Sequence, residues 1–321
     1  MMIKRAATIL VTAILSAGFA QAADWPTGPV RVIVPYAAGG AADVMGRVFM
    51  ESVSTRLGQP FVIENQAGAG GLIASRAVAR APADGKTFVI AGMASHVLAP
   101  LMSAEPGFDP NVDVTHIGFF GGAPSVLVAH PSMNIRNMKD FLAAARAAKE
   151  GLEYLSPGVG TGGHVAAAYL AEKEGIKLVH VPYKGGGAAI FDVVAGHVKF
   201  ASMNWSTARE HVASGALVPI AVTSESRLAD RMDVPTFREL GYPDLVMTTW
   251  YAISGPPGLP AEIVARLNAA VVASLDDARV RRQLELEAAV PRAMSPAEVT
   301  SFIKGQYDQW RPVTQKLRGA P

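Results

Sequence analysis

Short apolar runs, Gly-rich loops and amphipathic stretches follow one another along most of the chain. The first unit begins with the run VRVIV, passes through the small residues PYAAGGAAD and predicts a helix over about 42–57. The runs PFVIEN and KTFVIAG continue the series, with helices predicted in LIASRAVARA and from about Ser95. Strands that alternate with helices predict a mainly parallel sheet of the α/β class.

A second series of the same kind follows two apolar runs, HIGFFGG and SVLVAHP, which residues 121–124 separate. Its predicted strands are LEYLS, KLVHVPY, VKFASM and LVPIAVTS, with helices in 137–149, HVAAAYLAEKEG, AAIFDVVAGH and STAREHVASG. A polar stretch over 225–244 then leads to the run VMTTWYAISGPP. This run predicts a strand that returns to the first unit, and helices are predicted over 260–275, 277–288 and 295–317.

Two α/β units that the chain connects twice predict a hinged, two-lobed fold of the periplasmic binding protein type. We expect residues 23–123 and 245–321 to form lobe 1 and residues 124–244 to form lobe 2, with a mixed or parallel sheet in each and two hinge crossings between them. Ligands of open α/β sheets lie beyond the carboxyl ends of the strands. Closure of the lobes would place a ligand between those ends.

The first residues have the pattern of a secretory signal peptide. A basic segment, MMIKR, precedes the apolar run AATILVTAILSAGF and the small-x-small sequence Ala20-Gln21-Ala22. We expect cleavage after about Ala22 and export to the periplasm, without a lipid anchor because no Cys follows the signal. Residues 1–22 are therefore excluded from the fold prediction.

Charge and cysteine content narrow the function classes. Lys4 and Arg5 account for two of the 29 basic residues, so the remaining 27 balance the 27 acidic ones. A chain without basic excess argues against a nucleic-acid partner, and local groups must provide any preference for anions. The absence of Cys excludes disulfides, thiolate metal sites and cysteine nucleophiles.

Two Gly-rich loops carry the candidate chemistry. Each follows a strand and opens a helix, so backbone N–H groups and the positive end of a helix dipole face the same point, where anions bind readily. The alternative for the first loop is a tight turn, with Asp43 favourable in the first helical turn. We predict that the two loops hold one carboxylate between them, through Tyr36, Ala37, Ala38, Gly39, Gly40 and Ala41 in the first and Gly160, Thr161 and Gly162 in the second.

The second loop, Gly158-Val159-Gly160-Thr161-Gly162-Gly163, also fits the dinucleotide pattern G-x-G-x-x-G. The acid that binds the ribose about twenty residues on is missing, because residues 181–184 read Val-Pro-Tyr-Lys. An exported protein also lacks a ready supply of the nucleotide. An anion site is therefore favoured, and no cofactor is expected.

Other candidate residues lie near strand ends. Among seven His residues there is no i, i+4 pair and no H-E-x-x-H, so no metal site is predicted. His164 and His96 are placed to contact a ligand, although a structural hydrogen bond is an equal alternative. No G-x-S-x-G nucleophile elbow occurs, so we expect no enzyme activity. Tyr36, Tyr183 and Trp205 follow strand ends and would line a pocket, with packing within the lobes as the alternative. Lys184 would pair with a carboxylate, with a solvent-exposed position as the alternative. Ser95 and Asn204 are further pocket candidates, and Asn204 would orient the distal end of a ligand.

The chain resembles the substrate receptors of tripartite tricarboxylate transporters, the Bug receptors, over nearly its whole mature length. The resemblance rests on PYAAGGAAD at 35–43, ENQAGAGG at 64–71, ADGKT at 83–87, GVGTGGH at 158–164, VPYKGGG at 181–187, DVPTFRELGYP at 233–243 and PPGLPAEIVARLN, which starts the C-terminal helices. Many motifs in one order make the resemblance specific.

The resemblance implies a two-lobed periplasmic receptor that closes on a small organic acid and delivers it to an integral membrane permease. Di- or tricarboxylates, amino acids and aromatic acids are the implied ligands, with one carboxylate between residues 36–43 and 158–163, and we expect a monomer. Family loops often have Thr at the position of Ala42, so the first-lobe contacts differ here. The alternative function is a periplasmic sensor that binds a similar ligand and acts through a signalling partner.

Overall fold

The computed structural model describes residues 25–318, and the predicted signal peptide lies outside the described residues. The chain forms an α/β fold with two lobes. One continuous path of paired strands runs through both of them in the order β2-β1-β3-β9-β4-β7-β5-β6, with β8 also paired to β4. Strand bounds are Val30–Val34 (β1), Phe61–Asn65 (β2), Thr87–Gly92 (β3), Thr115–Ala129 (β4), Leu152–Ser156 (β5), Leu178–Pro182 (β6), Phe200–Asn204 (β7), Val218–Val222 (β8) and Thr248–Gly255 (β9).

We call the part built on β1, β2, β3 and β9 lobe 1 and the part built on β5 to β8 lobe 2. In lobe 1 the first three strands are parallel and β9 returns antiparallel to β3. In lobe 2, β5 pairs in parallel with β6 and β7, while β7 and β8 are antiparallel to β4. The predicted parallel βα units are confirmed, and β4 and β9 make the sheets mixed.

The predicted helices are present at closely similar bounds. They are Ala41–Leu57 (α1), Leu72–Ala79 (α2), Ala99–Met102 (α3), Met138–Ala147 (α4), Gly162–Glu174 (α5), Gly186–Val194 (α6), Trp205–Ala213 (α7), Ala261–Ser274 (α8), Ala278–Leu286 (α9) and Pro296–Arg318 (α10). A π-helical turn over Ala94–Leu98 leads into α3, at the place where a helix from about Ser95 was predicted. No helix within residues 25–318 has both the length and the apolar character of a membrane span.

Strand β4 differs from its prediction. The sequence indicates two runs separated at 121–124, whereas a single strand of 15 residues passes from lobe 1 into lobe 2. Residues 115–124 pair with β9 and residues 125–129 pair with β7. Gly121 has a φ of 138°, and the pairing register shifts beside it. The antiparallel ladder to β9 thus outweighs the local turn preference of Gly and Pro, and the crossing is a bent strand instead of a loop.

The three largest hydrophobic clusters among the described residues form the cores of the lobes. One lies in lobe 1 and includes Phe49, Phe88 and Phe120; another lies in lobe 2 and includes Trp205. The third runs through both lobes, from Met93 to residues on β5, β7 and α10. Helix α10 contacts β4, α3 and α5, so it packs against both lobes. This cluster and α10 close one side of the junction between the lobes. On the other side, the carboxyl ends of β1, β3, β5 and β7 surround a cavity.

Candidate functional site

A cavity lies between the lobes, where strands of both sheets end. Its wall is made almost entirely of small, uncharged or aromatic residues and backbone. The lining residues are Tyr36, Gly40, Ala41, Ala42, Gly92, Met93, Ala94, Pro157, Thr161, Gly162, Gly185, Gly186, Asn204, Thr207, Thr249 and Tyr251. Six of the predicted site residues are brought together here: Tyr36, Gly40, Ala41, Thr161, Gly162 and Asn204.

The first loop opens α1 at the cavity. Gly40 caps this helix in an extended conformation, and no side chain occupies its first N–H groups. Asp43 supports the loop from below: its carboxylate accepts hydrogen bonds from the N–H of Gly39 at 3.0 Å and from Nδ2 of Asn65 at 2.8 Å. Arg47 pairs with it at 2.9 Å. Burial opposes ionisation of Asp43, but these hydrogen bonds outweigh it and keep the pKa of the carboxyl below its usual value.

The second loop opens α5 on the opposite wall. The Thr161 hydroxyl caps the helix by accepting the N–H of His164, and it donates to the carbonyl of Gly158 at 2.7 Å. Gly162 and Gly163 have no room for a side chain, because a Cβ would come within 2.8 Å of Oγ1 of Thr249 and 1.9 Å of the Ser202 carbonyl. Glycine is required at both positions by these close approaches, which bring the backbone against the cavity.

His164 lies behind the second loop and outside the cavity wall. Its Nδ1 accepts the N–H of Gly160 at 3.1 Å, and its ring stacks on His180 with centroids 4.2 Å apart. Oγ of Ser156 is 2.7 Å from Nε2 of His180. Burial lowers the pKa of His164 to about 4, so the ring is neutral near pH 7. In this arrangement His164 positions the loop as a hydrogen-bond acceptor.

The N-termini of α6 and α7 also reach the cavity, and the residues at the start of α6 were not predicted as site residues. Gly185 precedes α6 and Asn204 precedes α7, and neither helix has a side-chain cap. Gly185 and Gly186 line the cavity, as does Thr207 in the first turn of α7. The KGGG segment that follows a predicted strand was the available signal, because it repeats the strand, glycine, helix pattern of the two recognised loops.

Residues of β9 complete the cavity, and they were not predicted. Nδ2 of Asn204 donates to the hydroxyl of Tyr251 at 2.7 Å, which joins lobe 2 to lobe 1. Burial raises the pKa of Tyr251 well above its usual value, so the phenol stays neutral and keeps a proton to donate. The Thr249 side chain is buried, and its Oγ1 has no hydrogen-bond partner among the residues that the structure describes. A buried hydroxyl without a partner is costly unless a ligand satisfies it.

The remaining predicted residues lie next to the cavity but not on its wall. The N–H of Ala37 donates to the carbonyl of Lys184 across the lobes at 3.1 Å, while Ala38 and Gly39 line a second cleft. Oγ of Ser95 lies 3.0 Å from Nδ1 of His96, within the interior of lobe 1. Trp205 is buried in the lobe 2 cluster.

The positive potential of the cavity comes from backbone. None of its lining residues is Lys, Arg, His, Asp or Glu. Helices α1, α5, α6 and α7 all begin at the wall, and each N-terminus is equivalent to roughly half a positive charge. Within residues 25–318 no group of three or more His, Asp or Glu is placed to hold a metal. The arrangement therefore suits a small anion that accepts hydrogen bonds from N–H and hydroxyl groups.

Comparison with known protein families matches residues 45–318 to the tripartite tricarboxylate transporter family receptor. The chain belongs to this family. BugT of Bordetella pertussis is 31% identical over 308 residues, which cover 94% of each chain. The resemblance inferred from the sequence motifs is confirmed.

Solved structures of relatives confirm the fold. The periplasmic binding protein BugD has a TM-score of 0.86 and 28% identity, over 91% of this chain and 98% of its own. MatC from Rhodopseudomonas palustris, solved with bound malate, has a TM-score of 0.86 and 28% identity, over 90% of this chain and 100% of its own. Both support the two-lobed arrangement of a periplasmic solute-binding protein, and MatC carries a small carboxylate.

Proposed function

We propose that this protein is a periplasmic receptor that captures a small organic carboxylate between its lobes and delivers it to the membrane permease of a tripartite transporter. The observation that carries the proposal is the convergence of four helix N-termini on one uncharged cavity. A carboxylate placed there has its negative charge met by backbone N–H groups and loses no contact to a competing acid. Export through the signal at residues 1–22, action as a monomer and the absence of catalysis are parts of the same proposal.

The ligand carboxylate would lie between the first turns of α1 and α5. The N–H groups of Ala41, Ala42 and Gly162 are the proposed donors, with Oγ1 of Thr249 as a further partner. Each hydrogen bond to a charged group contributes about 1.5 to 3 kcal/mol net. Three or four of them, reduced by the costs of ordering and closure, are sufficient for micromolar binding, about −8 kcal/mol.

The distal end of the ligand would face the side chains of β9 and α7. Tyr251 and Asn204 form a hydrogen-bonded pair at this end, and Tyr36 and Met93 add apolar surface. The bound malate of MatC shows that a relative of this fold takes a small hydroxylated dicarboxylate. Acids with a second polar group within a few carbons of the carboxylate are therefore the first candidates.

A thermal-shift screen tests capture. The purified protein is heated with malate, other di- and tricarboxylates, amino acids and aromatic acids, because a ligand that binds only the folded state raises the melting temperature with concentration. A concentration-dependent rise with at least one acid is expected. No shift with any acid class would contradict the proposal.

Deletion of the gene tests delivery. Uptake of the acid that binds is expected to fall when the gene is removed and to return when it is supplied again. Intact uptake together with a lost transcriptional or behavioural response to the acid would contradict delivery and favour a sensor that acts through a signalling partner.

A further inference from the structure

A buried carboxyl group lies at the junction of the lobes, beside the proposed ligand cavity. Glu287 directly follows α9, and the residue is about 1% exposed. Its Oε1 accepts a hydrogen bond from Nε2 of Gln283 at 3.1 Å, one turn earlier. Its Oε2 is buried and makes no hydrogen bond of good geometry to any residue within 25–318. Carboxylates buried to this degree are usually paired. We therefore expect Oε2 of Glu287 either to carry a proton or to accept a hydrogen bond.

The group that faces Glu287 belongs to lobe 2. Ser206 in the first turn of α7 has its hydroxyl close enough to the carboxyl to lower the pKa of Glu287, although Oγ of Ser206 makes no hydrogen bond of good geometry within the described residues. Both residues line a cleft between the lobes, together with residues of α1 and α6. Ala288 packs against the lobe 2 cluster. The environment of Glu287 is therefore made by the contact between lobes.

The other charged groups of this cleft do not neutralise Glu287. Arg209 of α7 lines it, but its Nε is 2.8 Å from a carboxylate oxygen of Asp230 and its NH1 group is 3.9 Å from Glu210. The residues that α1, α6 and α9 contribute to the cleft are uncharged: Ala41 and Val44 of α1, Gly187, Ile190 and Phe191 of α6, and Gln283 and Leu286 of α9.

The phenol of Tyr251 lies near the carboxyl on the cavity side, and the phenol of Tyr36 lies near Tyr251. Tyr251 of β9 interacts electrostatically with both Glu287 and Tyr36. Burial raises the pKa of each phenol, so both are neutral near pH 7. Neither phenol carries a positive charge, and the guanidinium of Arg209 is paired with Asp230. Among the described residues that surround Glu287, no cation is left to stabilise the ionised carboxylate.

We propose that Glu287 couples closure of the lobes to uptake of one proton: the closed form holds the carboxyl protonated against Ser206, and opening exposes it to water, where it ionises. The inference rests on the proposed function, because it concerns closure around a ligand. Burial raises the pKa of Glu287 from 4.5 to about 7, and the neighbouring Ser206 and Gln283 oppose part of this rise.

The sign of the pH effect follows from linkage. Because the pKa is higher in the closed form than in an exposed carboxyl, closure takes up a proton and is favoured below pH 7. The gain is lost as the pH rises through the closed-form value. Between pH 8.0 and pH 6.0 the closed form, and any ligand affinity coupled to it, gains about tenfold.

Calorimetry with malate as the probe tests the coupling. Malate is titrated into the wild-type protein, Glu287→Gln and Glu285→Gln at pH 6.0 and 8.0. Glu285 is the matched control, because it lies two residues earlier, at the end of α9, with an exposed side chain near Arg282. From pH 8.0 to pH 6.0 the affinity of the wild type and of the control should rise about tenfold more than the affinity of Glu287→Gln. Comparison with Glu287→Gln cancels the titration of malate itself. An equal pH dependence in all three proteins would overturn the proposal.

Small-angle X-ray scattering without ligand gives an independent reading. The wild-type protein should be more compact at pH 6.0 than at 8.0, whereas Glu287→Gln should have the same radius of gyration at both. Ser206→Ala, which removes one group that lowers the Glu287 pKa, should keep the response and move it to higher pH. An identical response in wild type and Glu287→Gln would overturn the switch. If malate binds at neither pH, malate is excluded as the ligand of the proposed function. The scattering experiment then tests the coupling of Glu287 to closure without a ligand.

Discussion

At the scale of single residues, Thr249 carries a hydroxyl that a ligand would explain. The hydroxyl is buried at the cavity wall, has no hydrogen-bond partner in the described part of the chain, and would lie within 2.8 Å of a Cβ added at Gly162. Leaving a buried hydroxyl unpaired costs about 1 to 3 kcal/mol. The unpaired hydroxyl therefore lowers the stability of the ligand-free protein, and a ligand that bonds to it would offset this loss.

Thr249→Val is expected to weaken binding of the captured acid about tenfold or more, because a hydrogen bond to a charged group contributes about 1.5 to 3 kcal/mol. The melting temperature of the ligand-free protein should stay equal or rise, since an unpaired hydroxyl is removed. Calorimetry and thermal unfolding measure the two effects. Thr300→Val, on the exposed face of α10, is the control and should change neither. Unchanged affinity in Thr249→Val would remove Thr249 from the site.

Residue-level prediction from sequence depends on local signals. Gly40, Ala41, Thr161 and Gly162 were predicted as ligand-binding because a strand, a small-residue loop and a helix follow one another within a few positions. All four line the cavity, and their contact with a ligand stays a prediction. His164 has the right position in sequence but points behind the loop, because its Nδ1 satisfies the Gly160 N–H. The direction of a side chain depends on such tertiary partners, and the local sequence pattern does not predict it.

At the scale of elements, the first loop and α1 depend on the Asp43 carboxylate. It joins the loop, the helix and β2 through Gly39, Arg47 and Asn65. Because the pKa of Asp43 is lower in the folded protein than in an exposed Asp, ionisation stabilises the fold above about pH 4. This contribution is lost as the pH falls through the folded-state value.

Asp43→Asn is expected to lower the stability of the protein near pH 7 and to weaken ligand binding several-fold, because the loop loses an ion pair and an acceptor. Its loss of stability between pH 5 and pH 3 should be shallower than that of the wild type. Urea unfolding at several pH values measures this. Asp140→Asn is the control, since the carboxylate of Asp140, in the first turn of α4, accepts the backbone N–H of the exposed residue Arg136. Parallel pH profiles for Asp43→Asn and the wild type would contradict the role of Asp43.

The elements that sequence reasoning misplaced are those fixed by distant pairing. Strand β4 was divided at residues 121–124 because Gly and Pro favour turns, yet its ladder with β9 carries it through this segment. The same ladder brings Thr249 and Tyr251 to the cavity, from a strand that begins 74 residues after the end of α5. Neither residue belongs to a Gly-rich loop, so no local signal marked them.

At the scale of the whole molecule, closure joins two lobes across the cavity. The hydrogen bond from Asn204 to Tyr251 and the one from Ala37 to the Lys184 carbonyl both cross between the lobes. The cluster that runs through both lobes holds the other side. A ligand that adds hydrogen bonds from both lobes therefore shifts the protein towards the closed form.

Tyr251→Phe is expected to weaken ligand binding about two- to tenfold, because one hydrogen bond between the lobes, worth about 0.5 to 1.5 kcal/mol, is removed. The compaction of the protein on ligand addition, measured by small-angle scattering, should need a correspondingly higher ligand concentration. Tyr242→Phe is the control: its hydroxyl bonds Glu174 away from the cavity, so stability falls without a change in affinity. Equal affinity of Tyr251→Phe and the wild type would contradict the contribution of this contact to closure.

The central claim is that the cavity binds a carboxylate through backbone N–H groups at helix N-termini. The most direct measurement is a calorimetric comparison of the tightest acid from the thermal-shift screen with its methyl ester. The ester keeps the size and the apolar surface but removes the negative charge that the helix ends stabilise. The account predicts micromolar binding of the acid and binding of the ester weaker by about a hundredfold. Equal affinity for acid and ester would contradict it.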